Sequence, residues 1–313
     1  MGRGAVSAPS PGADAAGGFP LRVGFVGTGV MGSSMAGHLL DAGHELFVHT
    51  RTPERAGLLL DRGAYWSESP ADAAAEADVV CLMVGHPADV RQVVLGDDGA
   101  LGAMSAGTVL VDFTTSDPTL AVEIAAAADS DGVASLDAPV SGGDVGARNA
   151  TLSIMVGGDA DAIERVRPLL ESLGSTVVRQ GPAGSGQHTK MVNQILIAGT
   201  MVGLAEALLY ARSAGLDPTA VLRSVGGGAA ASWSLANLAP RALDGDLAPG
   251  FLVEHFVKDL GIALDNAARM GLDLPGLALA RDLYTSLRDR GHGGDGTQAL
   301  VVELAVRNSA FWP

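Results

Sequence analysis

The sequence predicts an α/β N-terminal domain built on a parallel, doubly wound sheet, an all-α C-terminal domain, and a long helix joining the two. Three observations carry that expectation. Short apolar runs alternate with helix-spaced segments as far as residue 183. A glycine-rich turn directly follows the first of those runs. Beyond Gly184 no strong strand signal remains, and the segments are helical with glycine or proline stops. The expected division is a leader over 1–18, a sheet domain over 19–183 and a helical domain over 184–313.

The chain has 313 residues, enough for about two domains of ordinary size. Its hydrophobic fraction of 47% allows a large core, and its formal charge of −15 argues against nucleic acid or an anionic membrane as partner, since both demand a basic face. An anionic ligand must then be held by local groups. The single cysteine, Cys81, lies in the apolar run Asp78-Val79-Val80-Cys81-Leu82-Met83-Val84 and reads as a buried strand residue. No disulfide can form within the chain, which suits a reducing cytosol and a cytoplasmic location. Residues 1–18 are rich in Gly, Ala, Ser and Pro and lack the apolar stretch of a secretory signal, so they read as a disordered leader.

Residues 21–26 form the first predicted strand and lead into Gly27-Thr28-Gly29-Val30-Met31-Gly32. A helix over 33–42 is expected from Met35, Leu39 and Leu40, closed by Gly43, with a second strand over 45–49. In this βαβ setting Gly27 allows a tight turn, Gly29 lets the backbone approach a pyrophosphate, and Gly32 lets helix and strand pack closely. The helix N-terminus supplies the anion site. This is a Rossmann-type dinucleotide fingerprint.

The residues after the second strand choose between the nicotinamide cofactors, an acid serving a ribose hydroxyl and a cation a 2′-phosphate. Here the strand ends in His49-Thr50-Arg51-Thr52-Pro53-Glu54-Arg55, with no acid at its tip. Arg51, with the hydroxyls of Thr50 and Thr52 and with Arg55 nearby, suits a phosphate. A surface arginine beside a turn proline is the plainer account. The balance favours NADP(H) and leaves NAD(H) open; no metal is expected.

Strands over 78–84 and 108–113 and a helix over 118–128 continue the pattern. Ligands of such sheets sit at the carboxyl ends of the strands, so Met83-Val84-Gly85 and Thr114-Thr115-Ser116 are expected to line the cofactor cleft, although loop polarity alone also explains the second group. Next comes Asp137-Ala138-Pro139-Val140-Ser141-Gly142-Gly143, where one hydroxyl and exposed backbone N–H groups suit a small carboxylate. A plain glycine turn reads the same way. Residues 152–157 and 176–179 read as the last strands.

From Gly184 a helix is expected to run to Tyr210 with a polar first turn, Gly184-Ser185-Gly186-Gln187-His188-Thr189-Lys190. Lys190, Asn193, Gln194 and Ile197 share one face of it. The apolar core of this segment falls below the roughly 18 to 20 residues that a bilayer needs, so it reads as a helix buried on nearly all sides of a soluble protein. Lys190 alone reads equally as a snorkelling surface lysine and as a functional one. Further helices are expected over 218–225, 233–238, 256–270, 278–290 and 297–306. That places Lys190 at the seam, facing the cleft.

Four blocks in order, Gly27 to Gly32, Asp137 to Gly143, Gly184 to Gln194 and Lys258-Asp259-Leu260-Gly261-Ile262-Ala263-Leu264, resemble the β-hydroxyacid dehydrogenase family, which includes 3-hydroxyisobutyrate dehydrogenase and tartronate semialdehyde reductase. The resemblance implies NAD(P)-dependent interconversion of a 3-hydroxy acid and its semialdehyde. By the same resemblance Lys190 matches the catalytic lysine, Ser141, Gly142 and Gly143 the substrate-carboxylate loop, and Asn193 the amide that orients substrate. Gln194, in place of the second asparagine of a common pair, is grouped with the substrate-binding residues. Lys258 matches the lysine that closes over bound cofactor and Thr115 the cofactor-binding threonine. Val84-Gly85 replaces a frequent Leu-Pro, and Ala150 replaces a glycine. Imine reductases share this architecture but generally lack the seam lysine, and a non-catalytic cofactor-binding scaffold is expected to lose it too. Trp233, Ser234, His255 and Phe256 are candidates for shaping the substrate pocket or for simple packing. The long apolar helix predicts a homodimer or homotetramer.

Overall fold

Strand β1 (Arg22–Val26) alternates its side chains between two apolar layers, Val23 and Phe25 to one side and Val26 to the other, which is why its sequence is apolar throughout. The same alternation recurs in β4 and β5. The computed structural model describes residues 20–312; the expected leader lies outside the described residues. Its sheet contains β1, β2 (Glu45–His49), β3 (Tyr65–Trp66), β4 (Val79–Leu82), β5 (Val109–Asp112), β6 (Ala134–Asp137), β7 (Val140–Ser141), β8 (Ser153–Gly157) and β9 (Thr176–Gly181). The order is β3-β2-β1-β4-β5-β6-β8-β7, with β9 on β8.

Strands β1 to β6 are parallel, as expected for crossovers that place helices on the faces. The expectation of an all-parallel sheet fails at its far end, where β8 runs antiparallel to β6 and β7. The physical reason is local. Pro139 interrupts one strand into β6 and β7, its carbonyl still accepts from Met155 N, and only the short helix Gly143–Arg148 connects β7 to β8. That connection cannot carry a parallel crossover.

The helices Val30–Asp41 and Ala160–Glu171 cover one face through Met35, Leu39, Ile163, Val166 and Leu170. Pro87–Leu95 and Pro118–Ser130 cover the other through Val90, Val94, Leu120 and Ile124. The first helix begins at Val30, three residues before the expected start, so Val30 and Met31 stand in its first turn.

The expected long helix spans Ser185–Ser213. Its N-terminus packs against β8 and β9, and its middle joins the helices Trp233–Leu243, Val253–Arg269, Pro275–Leu287 and Leu300–Arg307 around Met201, Leu204, Phe256, Leu260 and Tyr284. It is not buried on all sides. Val192, Leu196 and Tyr210 are exposed on its outer face, and added Cβ atoms at Gly199 and Gly203 would meet open space.

Candidate functional site

Three glycines shape the end of β1, each for a different reason. Gly27 has φ +99°, and a Cβ there would overlap the Met83 carbonyl. At Gly32 a Cβ would overlap the Gly27 carbonyl, so the helix seats directly on the turn. At Gly29 a Cβ would meet nothing within 4 Å, which leaves that backbone open to a ligand. Gly29 is the N-cap of Val30–Asp41, no side chain caps it, and the first turn carries no acid. The helix dipole and free N–H groups therefore face the opening. Val30 is exposed there, Met31 is half-buried, and the buried Thr28 hydroxyl has no partner among the described residues. This cradle fits the pyrophosphate of a dinucleotide.

Around it stand the other strand ends. Thr50, Arg51 and Thr52 close β2; Arg51 is exposed, and its Nη1 lies 2.9 Å from Asp89 Oδ1. Arg55 is also exposed, in the turn Pro53–Ala56. Met83 and Val84 follow β4, and Val84 N donates to Thr114 Oγ1 at 3.0 Å. Lys258 Nζ donates to the carbonyls of Gly85, at 3.1 Å, and Thr115, at 2.9 Å, tying the loops after β4 and β5 to the helical domain. The ammonium also lies 3.0 Å from Asp259 Oδ1.

On the other side of the cleft, Lys190 is 7% exposed, and its Nζ donates to the Val140 carbonyl at 2.8 Å. Burial pulls its pKa down from 10.5 to about 8; Asp259 pushes it up and Lys258 adds a smaller downward push. Ser141 Oγ donates to Asn193 Oδ1 at 3.2 Å. Gly142 and Gly143 have φ of +132° and +62°, conformations in which a side chain would be strained, and they open the helix Gly143–Arg148. Lysine, serine, amide and glycine turn thus converge from two elements far apart in the chain.

Gln194 departs from expectation. It is fully buried, its Oε1 accepts from Asn193 Nδ2 at 2.8 Å, and its Nε2 donates to Asp259 Oδ2 at 2.6 Å. With both ends of the amide occupied, it holds Asn193 from behind and does not face the cleft. Of the pocket candidates, Phe256 is core, packed edge-on against Phe251 and Tyr284. Ser234 is buried, Trp233 is exposed at the start of its helix, and His255 is half-buried with its ring edge-on to His86.

Sequence reasoning missed the groups that align these parts. Asp137, at the end of β6, accepts from Gly184 N and Gln187 N, both at 2.8 Å, and so caps the long helix. Burial still pushes its carboxyl up to about 6, against those bonds. Asp112, its register partner on β5, accepts from Thr114 N at 2.9 Å, and burial raises it to about 7. Gln187 is fully buried; its Oε1 accepts from Ser116 N at 2.9 Å, and its Nε2 donates to the Thr114 carbonyl at 2.7 Å. An aspartate ending each of two neighbouring strands was the available signal.

A pyrophosphate cradle at a strand-order reversal, with a buried ammonium across the cleft, defines a nicotinamide-dependent oxidoreductase. Residues 22–181 match the family model for the NAD binding domain of 6-phosphogluconate dehydrogenase, and residues 184–304 match the model described as NAD-binding of NADP-dependent 3-hydroxyisobutyrate dehydrogenase. An uncharacterized oxidoreductase of Bacillus subtilis, YkwC, is 52% identical over 278 residues, which is 89% of this chain and 96% of that protein. The 2-hydroxy-3-oxopropionate reductase of Escherichia coli is 38% identical, over 91% of this chain and 98% of its own. A solved 3-hydroxyisobutyrate dehydrogenase of Mycobacterium tuberculosis, with L-serine, superposes with a TM-score of 0.84 at 33% identity, over 91% and 99% of the two chains. The chain belongs to the β-hydroxyacid dehydrogenase family and is an NAD(P)-dependent hydroxyacid dehydrogenase. Solved imine reductases share only 19% to 24% identity with it, a likeness of fold alone.

Proposed function

We propose that the enzyme interconverts a short 3-hydroxy acid and its semialdehyde, of the 3-hydroxyisobutyrate or tartronate semialdehyde type, with Lys190 as general acid and base and NADP(H) as the favoured cofactor. The observation that carries the reading is the lysine itself, nearly dry, hydrogen-bonded among the described residues only to a backbone carbonyl, and lowered to about 8. Such a group exchanges its proton near neutral pH. Ser141 and the backbone of Gly142 and Gly143 bind the substrate carboxylate, and Asn193 orients the reacting oxygen. A nicotinamide held in the cradle would supply hydride to the carbonyl carbon in reduction and take it from the carbinol carbon in oxidation. In reduction the Lys190 ammonium stabilises the developing oxyanion and gives it a proton; in oxidation the neutral amine takes that proton back.

The preference for NADP(H) rests on Arg51 between two threonines at the tip of β2. A cytosolic location is supported by the lone, buried Cys81. Assembly as a homodimer or homotetramer is supported by the outer stripe Val192, Leu196, Gly199, Gly203 and Tyr210, whose spacing of three, four and seven residues forms one seam. The test is the initial rate of NADPH and of NADH oxidation with succinic, methylmalonate and tartronate semialdehydes and a cyclic imine. Saturable turnover of an acid semialdehyde, abolished in Lys190→Ala, is the expected result. Turnover of the imine alone, or near-normal turnover by Lys190→Ala, refutes it.

A further inference from the structure

The tip of β2 does not present a lone cation. Arg51 Nη1 lies 2.9 Å from Asp89 Oδ1, with the arginine side chain 77% exposed and the aspartate 16%. Asp89 belongs to the first turn of Pro87–Leu95, the helix that follows β4. Its second oxygen accepts from His86 N at 3.0 Å, so the acid is anchored while the arginine is exposed. Strands β2 and β4 flank β1 on opposite sides. The ion pair therefore crosses over the end of β1, beside the Gly27 to Gly32 turn, on the side where a dinucleotide-binding fold would hold the adenosine ribose.

Two opposing preferences meet in that pair. A guanidinium attracts a 2′-phosphate dianion, whereas a fixed carboxylate at hydrogen-bond distance from the guanidinium repels the same dianion and already occupies one edge of the donor fork. A ribose 2′-hydroxyl carries no charge and meets no such repulsion. We infer that Asp89 is a specificity-determining residue of the cofactor site, which by pairing with Arg51 holds the preference for a 2′-phosphorylated cofactor below what Arg51 alone would produce. This rests on the reading that Arg51 faces the 2′-position.

Dissociation constants for NADPH, NADH and 2′,5′-ADP, measured by calorimetry and fluorescence titration on the full chain, test it without recourse to turnover. Asp89→Asn keeps an acceptor for His86 N and removes the charge. It is expected to tighten NADPH and 2′,5′-ADP about ten-fold while NADH changes less than about two-fold. Arg51→Ala is expected to weaken NADPH and 2′,5′-ADP and to spare NADH. If Arg51→Ala shifts the NADPH to NADH ratio but Asp89→Asn leaves it unchanged or lowers it, the inference on Asp89 is overturned and the reading of Arg51 stands. If Arg51→Ala leaves the ratio untouched, both fall.

Discussion

Replacing Lys190 by methionine should destroy catalysis and strengthen the fold at the same time. Burial lowers the lysine from 10.5 to about 8 in the folded chain, a gap worth about 3 kcal/mol at 1.36 kcal/mol per pH unit. Below pH 8 the lysine is protonated in both states, so the fold carries the full cost of burying the charge. That cost is relieved as pH rises from 8 towards 10.5. Methionine fills similar space without charge, but it leaves the Val140 carbonyl without its 2.8 Å partner, at a cost of about 1–3 kcal/mol. The variant should therefore be about 0–2 kcal/mol more stable than the parent at pH 7 and less stable near pH 10.5, its advantage falling steadily between. Turnover should fall by about 10²–10⁴. Urea unfolding at several pH values, beside steady-state rates on the same preparations, measures both. A stability difference that does not change with pH refutes the argument that Lys190 is held as a desolvated amine.

Two other substitutions probe the supports of the site. Gln187→Leu leaves Ser116 N and the Thr114 carbonyl unpaired in the interior, and should raise the cofactor KM about ten-fold or more, at about 1–3 kcal/mol for each orphaned group; an unchanged cofactor KM would remove Gln187 from the site's architecture. Ala150 adopts φ +52°, so Ala150→Gly should relieve left-handed strain and, after the entropy cost of glycine, stabilise the fold by about 0.5–1 kcal/mol, read as a small rise in Tm.

What could be read in advance divides along the range of the interactions. The glycine turn was legible because Gly27 and Gly32 meet obstacles within a few residues or on the adjacent strand. Lys190 and Asn193 were placed correctly on one face because helix spacing is a local property. Asp137 was not recognised as a helix cap, since its partners Gly184 and Gln187 lie 47 and 50 residues away. Gln194 was grouped with substrate because its position on the helix says nothing about Asp259, 65 residues further on, which draws its amide inward. The charge on Arg51 was visible, but the acid that meets it comes from another crossover 38 residues later. The reversal at β8 escaped because a single proline and a short turn decided it.

The helix Ser185–Ser213 starts beneath the sheet, capped by Asp137, and continues as the axis of the helical core. The helical core, built around Met201, Leu204 and Leu208, cannot be completed while this rod is unfolded. Because its first turn is tied to β6 by Asp137 and its length serves the bundle, the two halves should melt as a single cooperative unit, and a polypeptide cut between residues 183 and 184 would leave Asp137 without the N–H groups it accepts from. The lowered proton affinity of Lys190 is likewise a property of both halves together, since its burial and the carbonyl it meets come from the sheet domain and the charges beside it from the helical one.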